Sequence, residues 1–180
     1  MDSYKPTPSA IAITALAVEY VRLVDNAAEY TPRDFLREII RYMPRFYITL
    51  CDLKPYGDLE PDAEGENTDA ILDQLSEEAR QSVKNTLETV LGENDTYLDT
   101  HVEDMQYSDT PVAVSLAEQL TEVYEVMADL AVTVEDAPTE SLPEIMSDLL
   151  FYFNDYLNET ICSALKAANY AYHHADFEEY

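Results

Sequence analysis

Apolar residues recur at helical spacing over most of the chain, and the pattern breaks in few places. Ile13, Leu16, Ala17, Tyr20 and Val24 share one helix face, while Ile11, Ala15, Val18 and Val21 share a second. A segment apolar on most of its circumference predicts a helix over 8–29 that is central to a bundle. Over 32–53 the spacing of Phe35, Leu36, Ile39, Ile40, Met43, Phe46, Tyr47 and Leu50 runs on through Pro44. That predicts one helix kinked at Pro44 rather than two helices. A third stripe (Leu72, Leu75, Ala79, Val83, Leu87, Val90) predicts a helix over 69–91 that stops at Gly92. Leu116, Leu120, Val123, Met127 and Leu130 predict a fourth over 111–134. Leu142, Met146, Leu149, Phe153, Tyr156, Leu157 and Ala164 predict a long fifth over 141–174. The period-2 alternation of a half-buried strand is absent, and a short helical turn is expected near 95–104.

The predicted starts carry capping chemistry. Thr7-Pro8, Thr31-Pro32 and Thr110-Pro111 each pair a hydroxyl that can accept from a free first-turn amide with a proline that has no amide to waste. Ser141 and Glu144 have capping-box spacing. Between the second and third helices, residues 55–68 hold two prolines, two glycines, five acids and no base, and so predict a solvated loop. The sequence therefore predicts an all-α, single-domain bundle of five or six helices spanning residues 1–180, with no internal repeat.

Charge changes the picture. The chain has 10 basic and 37 acidic residues, a net charge of −27. The imbalance is uneven: residues 1–85 carry −7, and residues 86–180 carry −20 with Lys166 as their one base. Such a surface disfavours nucleic acid and anionic membranes, which are bound by displacing counterions with Lys and Arg. It favours solubility and basic partners. The N-terminus reads as neither a signal peptide nor a membrane span, because Asp2, Glu19 and Arg22 interrupt it. The two cysteines, Cys51 and Cys162, sit among apolar neighbours in predicted helices and read as buried, reduced thiols of a cytoplasmic protein.

The scarce positive charge is concentrated. Arg33, Arg37, Arg41 and Arg45 recur every four residues and form a slowly turning band opposite the apolar face of the second helix. Asp34 and Glu38 can pair locally with Arg37 and Arg41, but these pairs offset only the repulsion between neighbouring arginines. The fourth helix carries the opposite sign, with Glu118, Glu122, Glu125 and Asp129 on one side. Both stripes are expected to face outward. They could be solvated faces, or could meet each other within a chain or across a homodimer. They could also engage an unidentified protein, with the acidic face suited to a basic one.

Local motifs for catalysis are missing. There is no Gly-x-Ser-x-Gly, no Cys–His–Asn arrangement and no glycine-rich phosphate loop. Inward Glu-x-x-His pairs of a di-metal bundle are also absent. His173 and His174 diverge by about 100° on a helix and make a poor chelate. No cofactor or metal is implied. An enzyme or metal-binding bundle would need a site assembled only in three dimensions. Carboxylate rows could alternatively imitate duplex phosphates in an acidic DNA mimic, although exposed arginines oppose that use.

Residues 103–130, EDMQYSDTPVAVSLAEQLTEVYEVMADL, resemble an uncharacterised family of acidic, Tyr-rich helical proteins, mainly from Bacteroidales gut bacteria, catalogued as a domain of unknown function. Tyr107, Ser108, Asp109, Thr110 and Pro111, followed by the acidic helix with Tyr124, carry the resemblance, and AVEYVRLVDN and MPRFYITLCDL are similar too. The resemblance implies an all-helical, cytoplasmic bacterial protein and supplies no catalytic residues. Taken together, the sequence predicts a non-catalytic interaction module that works through charged helix faces.

Overall fold

The structure, a computed structural model, describes residues 5–54, 75–99 and 111–177. Helix α1 (Pro8–Asp25) starts where Thr7 accepts from the Ala10 amide at 3.1 Å. Helix α2 (Pro32–Cys51) starts in the same way, with Thr31 accepting from the Asp34 amide. Pro44 lies inside α2 and the helix continues through it, because Met43, Phe46 and Leu50 stay in the core on either side. Helix α3 (Glu77–Leu91) is capped by Ser76 and ends at Gly92, whose φ of 54° suits a residue without a side chain. The predicted residues 69–74 of this helix and the acidic loop 55–68 lie outside the described residues.

Two short strands correct the expectation of helix on either side of residue 105. β1 (Thr96–Asp99) and β2 (Val112–Ser115) form an antiparallel ribbon in which Thr96 faces Ser115 and Asp99 faces Val112. The pattern misleads because it is inverted: Leu98 is 65% exposed, whereas Asp99 is 5% exposed. Pro111 therefore precedes a strand, and helix α4 (Leu116–Asp136) starts five residues later than Thr110-Pro111 predicts. Its cap is Ser115, which accepts from the Glu118 amide at 3.1 Å. Asp95 reinforces this start from across the ribbon. Its carboxylate accepts from the Ala117 amide at 2.6 Å and from the Ser115 hydroxyl at 3.0 Å, and its carbonyl accepts from the Leu116 amide at 2.8 Å.

The last rod is nearly continuous. Helix α5 (Leu142–Tyr152) passes through a π-turn at Phe153–Leu157 into helix α6 (Asn158–His174). At the π-turn the Asn158 backbone amide donates to Phe153 O, and the Asn158 side-chain amide adds bonds to Phe153 O at 2.6 Å and to Asn154 O at 3.2 Å. The capping box at Ser141 is not formed. A 3-10 turn over Thr139–Ser141 already holds Ser141 in helical geometry, so its hydroxyl makes no capping bond.

These five rods share one apolar core. α2 packs most extensively on α6, α1 lies against α4 and α2, and α4 also touches α3, α5 and α6. The central helix is thus α4, and not α1 as the all-round apolar pattern predicts. The Ile13–Ala17–Tyr20–Val24 face of α1 is buried, but Ile11 (59% exposed), Ala15 and Val18 (44%) face solvent. Tyr20 closes the α1–α2–α4 junction. Its ring packs edge-on against Phe46 at 5.3 Å, and its buried hydroxyl donates to Leu120 O at 3.0 Å. The cysteines are exposed rather than buried, since Cys51 and Cys162 follow Leu50 and Ile161 round to the solvent side of α2 and α6. No helix among the described residues is long and apolar enough to cross a membrane.

Candidate functional site

The helical period separates α2 into two faces. Phe35, Leu36, Ile39, Met43, Phe46 and Leu50 are fully buried, and Arg33, Arg37, Arg41 and Arg45 are all exposed. The local pairs follow the sequence expectation. Arg37 reaches Asp34 at 3.0 Å and Glu38 at 3.6 Å, and Arg41 reaches Glu38 at 3.2 Å. Arg33 lies over the Tyr172 ring of α6, 5.6 Å from its centroid. Arg45 has no carboxylate within ion-pair distance among the described residues, and a guanidinium stripe remains on the outside of the bundle.

The α4 carboxylates behave differently, and their predicted outward face is corrected. Because α3 and α6 cover this side of α4, Glu118, Glu122 and Glu125 are half-buried and Asp129 is buried. Their cations come from α3. Arg80 pairs with Glu118 and, at 2.9 Å, with Glu125, while Lys84 also pairs with Glu118. Hydrogen bonds from Lys84 and Arg80 hold Glu118 below the usual carboxylate range, and the hydrogen bond to Glu118 raises Arg80. Burial pushes Glu122 up, partly offset by the Thr160 hydroxyl donating at 3.2 Å. Burial likewise raises Glu125 against the opposing pull of Arg80. On the α6 side, Tyr156 is pushed up to about 12 by burial and by Glu122 and Glu125. The result is a half-buried seam of carboxylates, guanidinium, ammonium and hydroxyls whose members mostly satisfy one another. Arg80 and Lys84 stand one turn apart in the sequence, and that spacing was the available signal for the partners of the α4 stripe.

Other sequence candidates stay apart. Tyr107, Ser108, Asp109 and Thr110 lie outside the described residues, and Pro111 is exposed. His174 stacks on Tyr170 at 4.3 Å, whereas His173 meets Tyr172 edge-on at 4.9 Å, so the two rings point to different neighbours. Among the described residues no three His, Cys, Asp or Glu side chains converge as metal ligands. Burial pushes the Cys162 thiol up, with smaller contributions from Cys51 and Glu159, which is opposite to the activation a nucleophile needs. A groove of about 610 Å³ lies between β1 and α6, walled by Leu98, Lys166, Tyr170 and His174. A second, of about 520 Å³, lies between α1, the end of α4 and the start of α5. Neither is lined by the α4 carboxylates.

A crystal structure of protein BF1032 from Bacteroides fragilis, a structural genomics target, has a similar fold. The two superpose with a TM-score of 0.70 at 14% identity, over 96% of this chain and 95% of that one. No curated protein matches the sequence. Residues 4–174 match the family described as Domain of unknown function (DUF5063), and with nearly the whole chain covered, the protein belongs to that family.

Proposed function

We propose that this chain is a non-catalytic interaction module and that the arginine face of α2 is its docking surface for an acidic partner. The observation that carries this reading is the contrast between the two charged stripes. Of the α4 carboxylates, Glu118 and Glu125 are taken up by Arg80 and Lys84 and Glu122 accepts from Thr160, while Arg33, Arg37, Arg41 and Arg45 stay exposed on a chain of net charge −27. Four outward guanidiniums present planar, multidentate donors suited to carboxylates. A second copy of the chain is one source of an acidic face, and another protein is the other. Nucleic acid and anionic membranes are poor partners for so negative a surface. A cytoplasmic bacterial setting of the Bacteroidales kind, with Tyr107–Pro111 as a family mark, is part of the same proposal, and the fold shared with a Bacteroides fragilis protein is in keeping with the bacterial part of it.

Light scattering after size exclusion, at low and high salt, on the native chain and on Arg37→Glu/Arg41→Glu tests the homodimer. Cross-linking in the host followed by mass spectrometry tests another protein. A salt-labile complex lost in the double variant supports the reading. A monomer that cross-links equally with and without the reversal sinks it.

A second reading, an enzyme or metal-binding bundle, is favoured by the half-buried Glu122–Glu125–Tyr156–Thr160 seam. Isothermal titration of divalent cations into the native chain and Glu122→Gln tests it, and heat that Glu122→Gln abolishes would favour it. The third reading, DNA mimicry, has weaker support, because its best carboxylate row is turned inward.

A further inference from the structure

Ile11, Ala15 and Val18 form the one apolar face of α1 that the core leaves uncovered, and it is not a flat surface. It forms one wall of the groove between α1, α4 and α5, about 520 Å³, with Ala10 and Met146 at its base and Val134 and Leu142 opposite. The lining contains little polar chemistry. The Thr14 hydroxyl donates to Ala10 O at 3.0 Å, so it is spent on the α1 backbone. Glu19 is the charged residue of the lining, and its carboxylate accepts from the Tyr42 hydroxyl at 3.3 Å. Exposed aliphatic side chains gathered in a concave, nearly uncharged groove are the mark of an interaction site rather than of scattered surface.

The surroundings state the charge of the occupant. Next to the lining residues Val134, Leu142 and Met146 stand Glu135, Asp136, Glu140 and Glu144, all exposed, with no base between them in the sequence. With Glu19 they make five exposed acids in the lining or within two residues of it in the sequence, against Lys5 beside Pro6 and Arg22 one turn beyond Val18. The walls also state its conformation. All three walls are helices, and none presents a strand edge along which an extended peptide could pair. An occupant must satisfy its own backbone, which a helix does. Ile11, Ala15 and Val18 span about 10 Å along α1, the reach of anchors at i, i+4 and i+7 on a partner helix. A second copy would bring the same acidic rim against this one.

The geometry points to a docking groove for an amphipathic helix whose apolar face is flanked by Lys and Arg. This surface is separate from the arginine face of α2 and stands or falls independently of it.

The test uses fluorescence anisotropy at physiological salt with three labelled synthetic peptides. One carries Leu at i, i+3, i+4 and i+7 with Lys elsewhere, one has the same composition scrambled, and one carries Glu in place of Lys. The patterned Leu/Lys peptide is expected to bind at least about tenfold more tightly than either control. Ile11→Ser/Val18→Ser, at exposed positions that the core does not need, is expected to remove that advantage. Tyr170→Ser, exposed elsewhere, is expected to leave it intact. Equal binding of the scrambled peptide would reduce the effect to bulk charge and overturn the proposal. So would equal binding of the Leu/Glu peptide, a preference surviving in the double variant, or a homodimer broken by that variant.

Discussion

Asp148 offers a direct test of the electrostatics of the α5 packing. One carboxylate oxygen, Oδ2, is buried with no hydrogen-bond partner among the described residues, and Glu144 lies one turn earlier on the same helix. Burial, with a smaller push from Glu144, raises its pKa from 3.8 to about 6. The sign follows from proton counts. Well below pH 3.8 the carboxyl is protonated in both states and costs nothing. As pH rises the unfolded chain ionises first, and the native state loses stability until pH passes the folded value. The full shift would be worth about 3 kcal/mol, but Asp148 is only half-buried and solvent screening cuts that to about 1–1.5 kcal/mol. Asp148→Asn cannot ionise and keeps the shape. Because the chain has a pI near 4.1, the comparison belongs at about pH 5 and about pH 8, between which roughly half the effect develops. Relative to the native chain, the variant should gain about 0.5–0.7 kcal/mol of stability between the two conditions. In urea denaturation that is a midpoint difference of roughly 0.3 M. Glu144→Gln should reproduce a smaller part of it. An identical midpoint difference at both pH values, or a variant less stable at the higher one, would refute the reasoning.

Three further outcomes are expected at neutral pH. Arg80→Met strips the half-buried Glu118 and Glu125 of their shared guanidinium and should cost about 2 kcal/mol in urea unfolding, with Arg80→Lys recovering only part. Asp95→Ala removes both carboxylate bonds at the start of α4 and should cost about 1–2 kcal/mol, with the first amides of α4 losing protection in hydrogen exchange. Tyr20→Phe deletes the buried hydroxyl that donates to Leu120 O while leaving the ring packed, and should lower stability by about 1 kcal/mol without changing the circular dichroism spectrum.

What could be read from the sequence was local. Thr7-Pro8 and Thr31-Pro32 act on amides three residues away, and both caps form as their chemistry requires. The start of α4 was not readable in this way, because Asp95 reaches it from twenty residues upstream and that proximity exists only in the fold. The ribbon escaped for a related reason: Asp99 is tolerated inside with Lys166 at 3.6 Å, so burial does not follow hydrophobicity there. The two carboxylate and guanidinium stripes have the same periodicity. Which one is covered depends on where α3 settles, a tertiary fact that spacing alone does not contain. The exposed Ile11–Val18 face fails in the opposite direction, since an all-round apolar helix reads as central whether its second face meets this chain or another.

Taken together, the placement of the ten cations bears on function. Arg80 and Lys84 hold Glu118 and Glu125 of α4, and Lys166 lies against Asp99, each matching a carboxylate that burial would otherwise penalise. The arginines of α2 differ in that their own guanidiniums stay open to solvent, although Arg37 and Arg41 share the half-buried Glu38. Arg37 and Arg41 are 54% and 56% exposed, so their i, i+3 pairs with Asp34 and Glu38 are screened by solvent and worth a few tenths of a kcal/mol each. A chain of this composition could relieve more repulsion by distributing those four charges among its acids in residues 86–180, where −20 is gathered. Concentrating them on one face of α2 forgoes that relief and creates a local reversal of field on an acidic protein. Such a reversal fixes orientation: an acidic partner is repelled from most of the surface and admitted at one stripe. The apolar groove on α1, as proposed above, would select by the opposite rule and admit a basic helix. If both proposals hold, two surfaces with opposite charge preferences would let a small helical bundle hold two different partners in a defined arrangement, and neither use requires a catalytic group.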